Sequence, residues 1–159
     1  MKPCFIRRAS KEDALYIAKN LTPEDREEVV AATGIDPEVV LPASITPTRE
    51  VYVAGLEHTG TPAILFGCDP VVGDEEAGVI WLLTTPEVYD FPVETAWHMK
   101  KFYDAYAERY PLLMNFIDER NKRHLQIIKW FGFKPIRRIE KFGPKSLPFI
   151  QFASYTPCA

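Results

Sequence analysis

The sequence has few cysteines and no long apolar run. Its three cysteines, Cys4, Cys68 and Cys158, lie far apart and form no Cys-x-x-Cys pair. This spacing is typical of reduced thiols, and we expect two of them in strands and one in a C-terminal tail. No apolar run approaches the length of a membrane span. Residues 1–8 lack a secretory apolar segment, so we expect a protein that is neither exported nor membrane-spanning.

Several chemical motifs are also missing. The chain has no P-loop, no Gly-x-Gly-x-x-Gly, no His-x-x-x-His and no Ser-His-Asp order. The sequence therefore predicts no metal site and gives no direct sign of nucleophilic catalysis. Residues 96–159, which hold most of the lysines and arginines, contain no RGG run and no aromatic-glycine repeat. The sequence therefore shows no specific nucleic-acid motif.

What remains is the composition of a globular protein. The 159 residues are 47% hydrophobic and 26% charged, which fits a single domain over residues 1–159. The net charge of −3 hides an asymmetry. Residues 1–95 hold 7 Lys and Arg against 17 Asp and Glu, whereas residues 96–159 hold 12 against 5. Two interpretations stay open: two solvated faces of opposite charge, or a charged surface for a partner.

Local patterns predict a mixed α/β fold with the order β-α-α-β-β-β-α-β-α-β-β. Alternating or apolar runs predict strands near residues 4–8, 50–57, 63–68, 78–84, 112–117, 133–139 and 149–155. Capping residues and apolar periodicity predict helices near residues 11–20, 22–33, 93–110 and 121–131. We expect a loop over residues 69–76, and a proline-rich linker over residues 36–47 with room for one helical turn. Strands that alternate with helices favour a mixed sheet covered on both faces.

The sharpest local signal lies between two of these strands. Asn121 begins a short helix, and Gly132 is placed to end it as a C′ residue with positive φ before Phe133 enters the core. This element resembles one helix of the acyl-CoA N-acyltransferase (GNAT) fold, and the similarity in motifs covers about residues 79–135. The resemblance implies acetyl-CoA as a substrate, with Leu83, Thr84, Thr85 and Asn121 as its ligands if it binds. Asn121 could equally act as an N-cap alone.

The phosphate-binding part of that resemblance is weak. The corresponding stretch, residues 84–94, has no glycine and no basic residue, and Pro86 and Pro92 lack an N–H donor. Glu87, Asp90 and Glu94 place negative charge where a diphosphate would lie. We therefore expect a degenerate CoA-binding loop and no bound cofactor. The acids themselves are ordinary partners of a helix N-terminus.

Catalytic groups are equally sparse. The position of the tyrosine that acts as general acid in the resembled family holds Ile128, which cannot donate a proton. Three tyrosines at helical spacing, Tyr103, Tyr106 and Tyr110, are interpreted as half-buried packing residues. Among the histidines, His124 in the first turn of the Asn121 helix is the candidate general base, although a structural role explains it equally well.

A second resemblance concerns a bacteriophage family with a GNAT-like fold. Its pattern is similar to residues 79–84, 100–103, 108–112 and 123–133. It implies a virion or host-interaction factor in the virion interior or host cytoplasm, with phage structural or host proteins as partners. Two hypotheses stay open: a non-enzymatic phage protein on the GNAT scaffold, or an acyl-CoA-dependent N-acetyltransferase acting on an amine.

Overall fold

A computed structural model describes residues 1–157, so Cys158 lies outside the described residues. The strands are β1 Cys4–Arg8, β2 Val51–Leu56, β3 Ile64–Val71, β4 Asp74–Thr84, β5 Leu112–Asp118, β6 Lys134–Phe142 and β7 Leu147–Tyr155. The α-helices are α1 Lys11–Lys19, α2 Pro23–Thr33, α3 Pro37–Ser44, α4 Pro92–Arg109 and α5 Lys122–Trp130. In this part of the chain no helix is long and apolar enough to cross a membrane.

The strands form one mixed sheet in the order β1-β2-β3-β4-β5-β7-β6. Only the β4–β5 pair is parallel, and the other neighbours are antiparallel. Helices α1 and α3 pack on one face through a core that includes Ala14, Ile17 and Leu41. Helices α4 and α5 cover the other face, where Met99 and Tyr106 are buried. The predicted mixed α/β fold is confirmed, and the element order agrees except for the additional helix α3.

Two stretches differ from expectation. Most of the expected linker 36–47 is helix α3, because Asp36 caps it, Pro37 opens it and Leu41 is buried. The prediction of a loop over residues 69–76 is wrong. Most of these residues belong to strands, because β3 continues to Val71 and β4 starts at Asp74. The register shifts between Pro70 and Val71, and such a bulge accommodates a proline within a strand.

The two central strands separate along their length. Strand β4 pairs with β5 only through residues 77–79, opposite residues 112–114. Beyond that point β4 remains paired with β3 as far as Thr84, while β5 remains paired with β7 as far as Asp118. The result is an opening between residues 80–84 and residues 115–118, which we call the β4–β5 gap. It is the one place in the described sheet where two neighbouring strands part so early.

The helix end predicted at Gly132 is confirmed, since its φ is +88°. A Cβ added there would meet no atom within 4 Å, so substitution is penalised only by backbone strain. We expect Gly132→Val to lower the free energy of unfolding by about 1–2 kcal/mol in urea denaturation. Gly132→Asn is the matched control and should cost less, because asparagine tolerates the left-handed region. Equal losses in the two variants would contradict this interpretation.

Candidate functional site

The closed end of the β4–β5 gap is bridged by one side chain. The Asn115 amide Nδ2 donates to the Ile80 carbonyl oxygen at 2.8 Å, which continues the ladder by one bond. Strand residues alternate in the direction of their backbone groups, so Leu82 directs its N–H and C=O into the gap as Ile80 and Thr84 do. The β4–β5 ladder has already ended at Val79, and Leu82 therefore has no partner on β5. Leu83, by the same alternation, faces β3.

The open end of the gap is spanned by a fully buried carboxylate from α2. Asp25 Oδ2 accepts hydrogen bonds from the Thr84 backbone N–H and from its hydroxyl, both at 2.8 Å. Asp25 Oδ1 accepts from Asn121 Nδ2 at 3.1 Å and lies 3.3 Å from His124 Nδ1. One aspartate thus joins the end of β4 to the start of α5.

A second acid of α2, Glu28, completes the bridge to β5. Its Oε2 accepts from the Asp118 backbone N–H at 3.0 Å and from Asn121 Nδ2 at 3.3 Å. Its Oε1 has no hydrogen-bond partner among residues 1–157. Burial, and then the nearby charge of Asp25, raise the pKa of Glu28 from 4.5 to about 8. A carboxyl group with such a pKa can hold or release a proton near neutral pH.

The local sequence explains why both acids point inward. Thr22 caps α2 by accepting from the Asp25 N–H at 3.3 Å, and Pro23 occupies the first turn. Asp25 and Glu28 are three residues apart and so share one helical face. Neither is among the candidate residues named from the sequence. The sequence does contain a sign of this site. Asp25 and Glu28 stand at helical positions that point into the protein, where apolar residues would be expected.

The structure brings three of the sequence candidates together around Asp25: Thr84, Asn121 and His124. Asn121 is confirmed as an N-cap, because its Oδ1 accepts from the His124 N–H at 3.2 Å. Burial lowers the pKa of His124, and the Asp25 carboxylate opposes that effect only in part. Two candidates lie apart from the network. Thr85 donates its N–H to the Ala63 carbonyl at 2.9 Å, and Leu83 packs against the core beneath α1.

Two cavities meet at the β4–β5 gap from opposite faces of the sheet. The α4-side cavity, of about 100 Å³, lies between the sheet and helices α4 and α5. The α2-side cavity, of about 310 Å³, is bounded by α2, α3 and the sheet. Residues that line both are Glu28, Trp81, Leu82, Asn115 and Phe116. Among these five residues, Glu28 alone has a carboxylate side chain.

The region before α4 carries more positive charge than its own sequence provides. Residues Pro86–Asp90 form a single 3₁₀ turn, and the Glu94 carboxylate accepts from the Lys2 backbone N–H at 2.7 Å. That hydrogen bond lowers the pKa of Glu94. The Lys2 ammonium donates to the Asp90 carbonyl at 2.6 Å, and the Arg123 guanidinium lies 3.5 Å from the Tyr89 ring centroid. Both cations come from distant parts of the chain.

The raised pKa of Glu28 predicts a pH-dependent stability. The folded state holds the Glu28 proton up to about pH 8, whereas the unfolded chain releases it near 4.5. The folded state therefore binds more protons in this window, and its stability falls as pH rises from 4.5 to 8. We expect a loss on the order of a few kcal/mol from this group.

Urea denaturation at several pH values tests that prediction. The Glu28→Gln variant lacks the titrating group, so its free energy of unfolding should decline less over the same window than that of the unaltered protein. Parallel pH profiles for the two proteins would show that Glu28 ionises normally in the folded state.

Comparison with known proteins agrees with this architecture. No protein-family model and no curated protein matches the sequence. Among solved structures, a GNAT-family acetyltransferase from Bacillus anthracis superimposes with a TM-score of 0.72 at 9% identity, covering 97% of this chain and 95% of that one. The ribosomal-protein-S18-alanine N-acetyltransferase from Escherichia coli has a TM-score of 0.69 at 10% identity, covering 98% and 96%.

A third solved structure, the ribosomal-protein-S5-alanine acetyltransferase from Vibrio fischeri, has a TM-score of 0.68 at 12% identity, covering 98% of this chain and 94% of that one. These similarities span nearly the whole length of each protein and lie at identities that establish fold alone. None supports the bacteriophage family resemblance or a virion role. The chain therefore has the GNAT acetyltransferase fold.

Proposed function

We propose that this protein is an acyl-CoA-dependent N-acyltransferase acting on an amine. The observation that carries the proposal is the meeting of two cavities at the β4–β5 gap, beside the free Oε1 of Glu28. Two cavities that meet at one point can hold both substrates at the same time, with their reacting atoms close together. The acyl group of the donor would enter the α4-side cavity and the amine the α2-side cavity. The titratable Glu28 lies where they meet.

The residues at the gap suit acyl transfer. The amine nitrogen attacks the thioester carbonyl carbon, and its proton passes to the Glu28 carboxylate as general base. The inward-facing N–H of Leu82 would stabilise the negative charge that develops on the carbonyl oxygen. The carbon–sulfur bond then breaks, CoA leaves as a thiolate that takes a proton from solvent, and the amide is released. Glu28 returns its proton to water before the next cycle.

The phosphate end of CoA would be held differently from the thioester end. Pro92 offers no N–H at the start of α4, and the Glu94 carboxylate already lies there. The exposed Arg123 and Lys2 supply the positive charge next to this turn instead. Guanidinium groups bind phosphate through charge-assisted hydrogen bonds, so Arg123 is the main candidate. Leu83, Thr84, Thr85 and Asn121 stay proposed as further ligands of CoA, although each already has a partner within the protein.

Calorimetric titration with acetyl-CoA tests the proposal. We expect binding in the micromolar range that weakens as salt is added. Arg123→Glu should weaken it by about 10- to 100-fold, because a charge-assisted hydrogen bond is replaced by repulsion. Arg137→Glu is the matched control, since Arg137 is exposed on β6 and its side chain, within residues 1–157, bonds only to Gln151. No binding at millimolar acetyl-CoA would overturn the proposed function. Thiol release in the presence of a panel of primary amines then identifies the acceptor.

A further inference from the structure

Three stacked phenylalanine rings form one wall of the α2-side cavity. They are Phe116 on β5, Phe142 on β6 and Phe149 on β7. The ring centroids of Phe116 and Phe142 are 5.0 Å apart, and those of Phe142 and Phe149 are 4.4 Å apart. Phe116 and Phe142 are half-buried as well as lining the cavity, so protein does not fully cover their rings. We call this wall the phenylalanine stack.

The rest of the cavity wall is mainly aliphatic. Its apolar side chains come from α2, α3 and β4, and they include Val29, Ala32, Val40, Leu41, Leu82 and Leu83. The volume of the cavity is about 310 Å³. A cavity of about 150 Å³ lined by apolar side chains accommodates benzene. The α2-side cavity therefore has room for an aromatic ring together with a short aliphatic arm.

Two charged side chains, Glu28 and Arg49, are among the described residues that line this cavity. Arg49 is already paired, because its Nε and Nη2 donate to the two carboxylate oxygens of Asp69 at 2.8 and 2.5 Å. Trp81 Nε1 also donates to Asp69, at 3.0 Å. Glu28 differs, because both of its hydrogen bonds within residues 1–157 reach Oε2 and leave Oε1 for a ligand. The cavity thus offers a ligand one charged group, and that group is an acid.

We propose that the acceptor is a primary amine carried on an aromatic body, with the amine as its only charged group. This inference rests on the proposed function, because it assumes that the amine enters the α2-side cavity. The amine nitrogen would donate to Glu28 Oε1 at the β4–β5 gap. Its ring would lie against the phenylalanine stack, where aromatic pairs gain more than their buried area alone provides.

The charges of the cavity also determine which amines are disfavoured. A second ammonium group would find no further carboxylate among the described lining residues, and an unpaired buried charge is strongly unfavourable. A carboxylate would meet only Arg49, whose charge Asp69 already balances. Diamines and free amino acids are therefore disfavoured relative to an arylalkylamine.

Acetylation of three amines tests the inference: 2-phenylethylamine, hexylamine and 1,5-diaminopentane. Hexylamine and 1,5-diaminopentane have the same chain length and differ by one terminal ammonium group. With acetyl-CoA as donor, kcat/KM measured by thiol release should be at least about 10-fold higher for hexylamine than for 1,5-diaminopentane. For 2-phenylethylamine it should be about threefold higher again, because the ring stacks on the phenylalanine wall.

A second carboxylate on the cavity wall should change the selection between the two aliphatic amines. Val40 lines the cavity from α3, so Val40→Glu supplies a partner for the second ammonium group. We expect 1,5-diaminopentane to come within about threefold of hexylamine in this variant. Val39→Glu is the matched control, because Val39 is 63% exposed on the same helix and is not part of the cavity wall. The control should keep the selection of the unaltered protein.

Phe142→Leu tests the aromatic wall independently of any effect of Val40→Glu on folding. It keeps an apolar side chain but removes the central ring of the phenylalanine stack. The preference for 2-phenylethylamine over hexylamine should disappear, whereas the affinity for acetyl-CoA in calorimetry should not change. Phe5→Leu is the control, since Phe5 is a half-buried phenylalanine of β1 that does not line this cavity. It should retain the preference.

The outcomes separate the two proposals. If 1,5-diaminopentane is acetylated as well as hexylamine, the proposed function stands and this inference is overturned. If acetyl-CoA binds and none of the three amines reacts, this inference is also overturned. If no CoA thioester binds, the proposed function fails and this inference fails with it. A selection that changes in Val40→Glu and in Phe142→Leu, but in neither control, supports the inference.

Discussion

Replacement of Glu28 with glutamine is expected to lower the rate of acyl transfer at pH 8 by about 100- to 10,000-fold. The amide keeps the shape of the side chain and an oxygen acceptor, but it cannot take a proton from the amine. Because Glu28 has a pKa of about 8, the unaltered protein should gain activity as pH rises to that value and then level off. The variant should lack this titration. Initial rates of thiol release across pH 6 to 10 measure both effects.

Two controls make this result specific to the site. Glu27→Gln changes an exposed neighbour on the same helix, which lies 3.6 Å from Arg120, and should leave the rate nearly unchanged. The affinity of Glu28→Gln for acyl-CoA should also remain close to that of the unaltered protein, because the loss falls on kcat. A rate within threefold of the unaltered protein, or the same pH profile in both, would show that Glu28 is not the general base.

Removal of the Asp25 carboxylate should have the largest effect on stability. Asp25→Ala leaves the Thr84 N–H, the Thr84 hydroxyl and one Asn121 N–H without their acceptor in a buried region. Each unsatisfied buried donor costs about 1–3 kcal/mol. We therefore expect the free energy of unfolding to fall by about 3–5 kcal/mol in urea denaturation.

The matched comparison is Asp36→Ala. Asp36 caps α3 from an exposed position, where its Oδ1 accepts from the Glu38 N–H at 2.8 Å. Loss of an exposed cap costs about 1 kcal/mol. A similar decrease in the free energy of unfolding in both variants would contradict this expectation. It would mean that water replaces Asp25 as the acceptor for these donors, and that this end of the β4–β5 gap is open to solvent.

Local signals explain why the fold is predictable from this sequence. Ser10, Thr22 and Asn121 each cap one of the predicted helices, and Gly34 and Gly132 follow helix ends with positive φ. These features depend on residues within a few positions of one another, so the sequence carries them directly. The continuation of β3 through Pro70 depends on pairing with β4, which the local sequence does not show. Helix α3 is longer than the single turn allowed for in residues 36–47, because Leu41 is buried in the core with α1.

The site is less predictable because its partners are far apart along the chain. Asp25 bonds to Thr84 across 59 residues, and Glu28 bonds to Asn121 across 93. No local pattern reports such a pairing. The same holds for the turn before α4. Lys2 and Arg123 supply the positive charge there, because residues 84–94 contain no lysine or arginine.

The most direct test of the central claim is a crystal structure with a hydrolysis-resistant thioether analogue of acyl-CoA. The claim is that donor and acceptor meet through the β4–β5 gap beside Glu28. It predicts that the sulfur atom lies within the gap, that the adjacent carbonyl oxygen accepts from the Leu82 N–H, and that the acyl chain enters the α4-side cavity. The claim would be contradicted by an analogue that binds elsewhere and leaves both cavities empty, with the Asn115–Ile80 and Asp25–Thr84 hydrogen bonds unchanged.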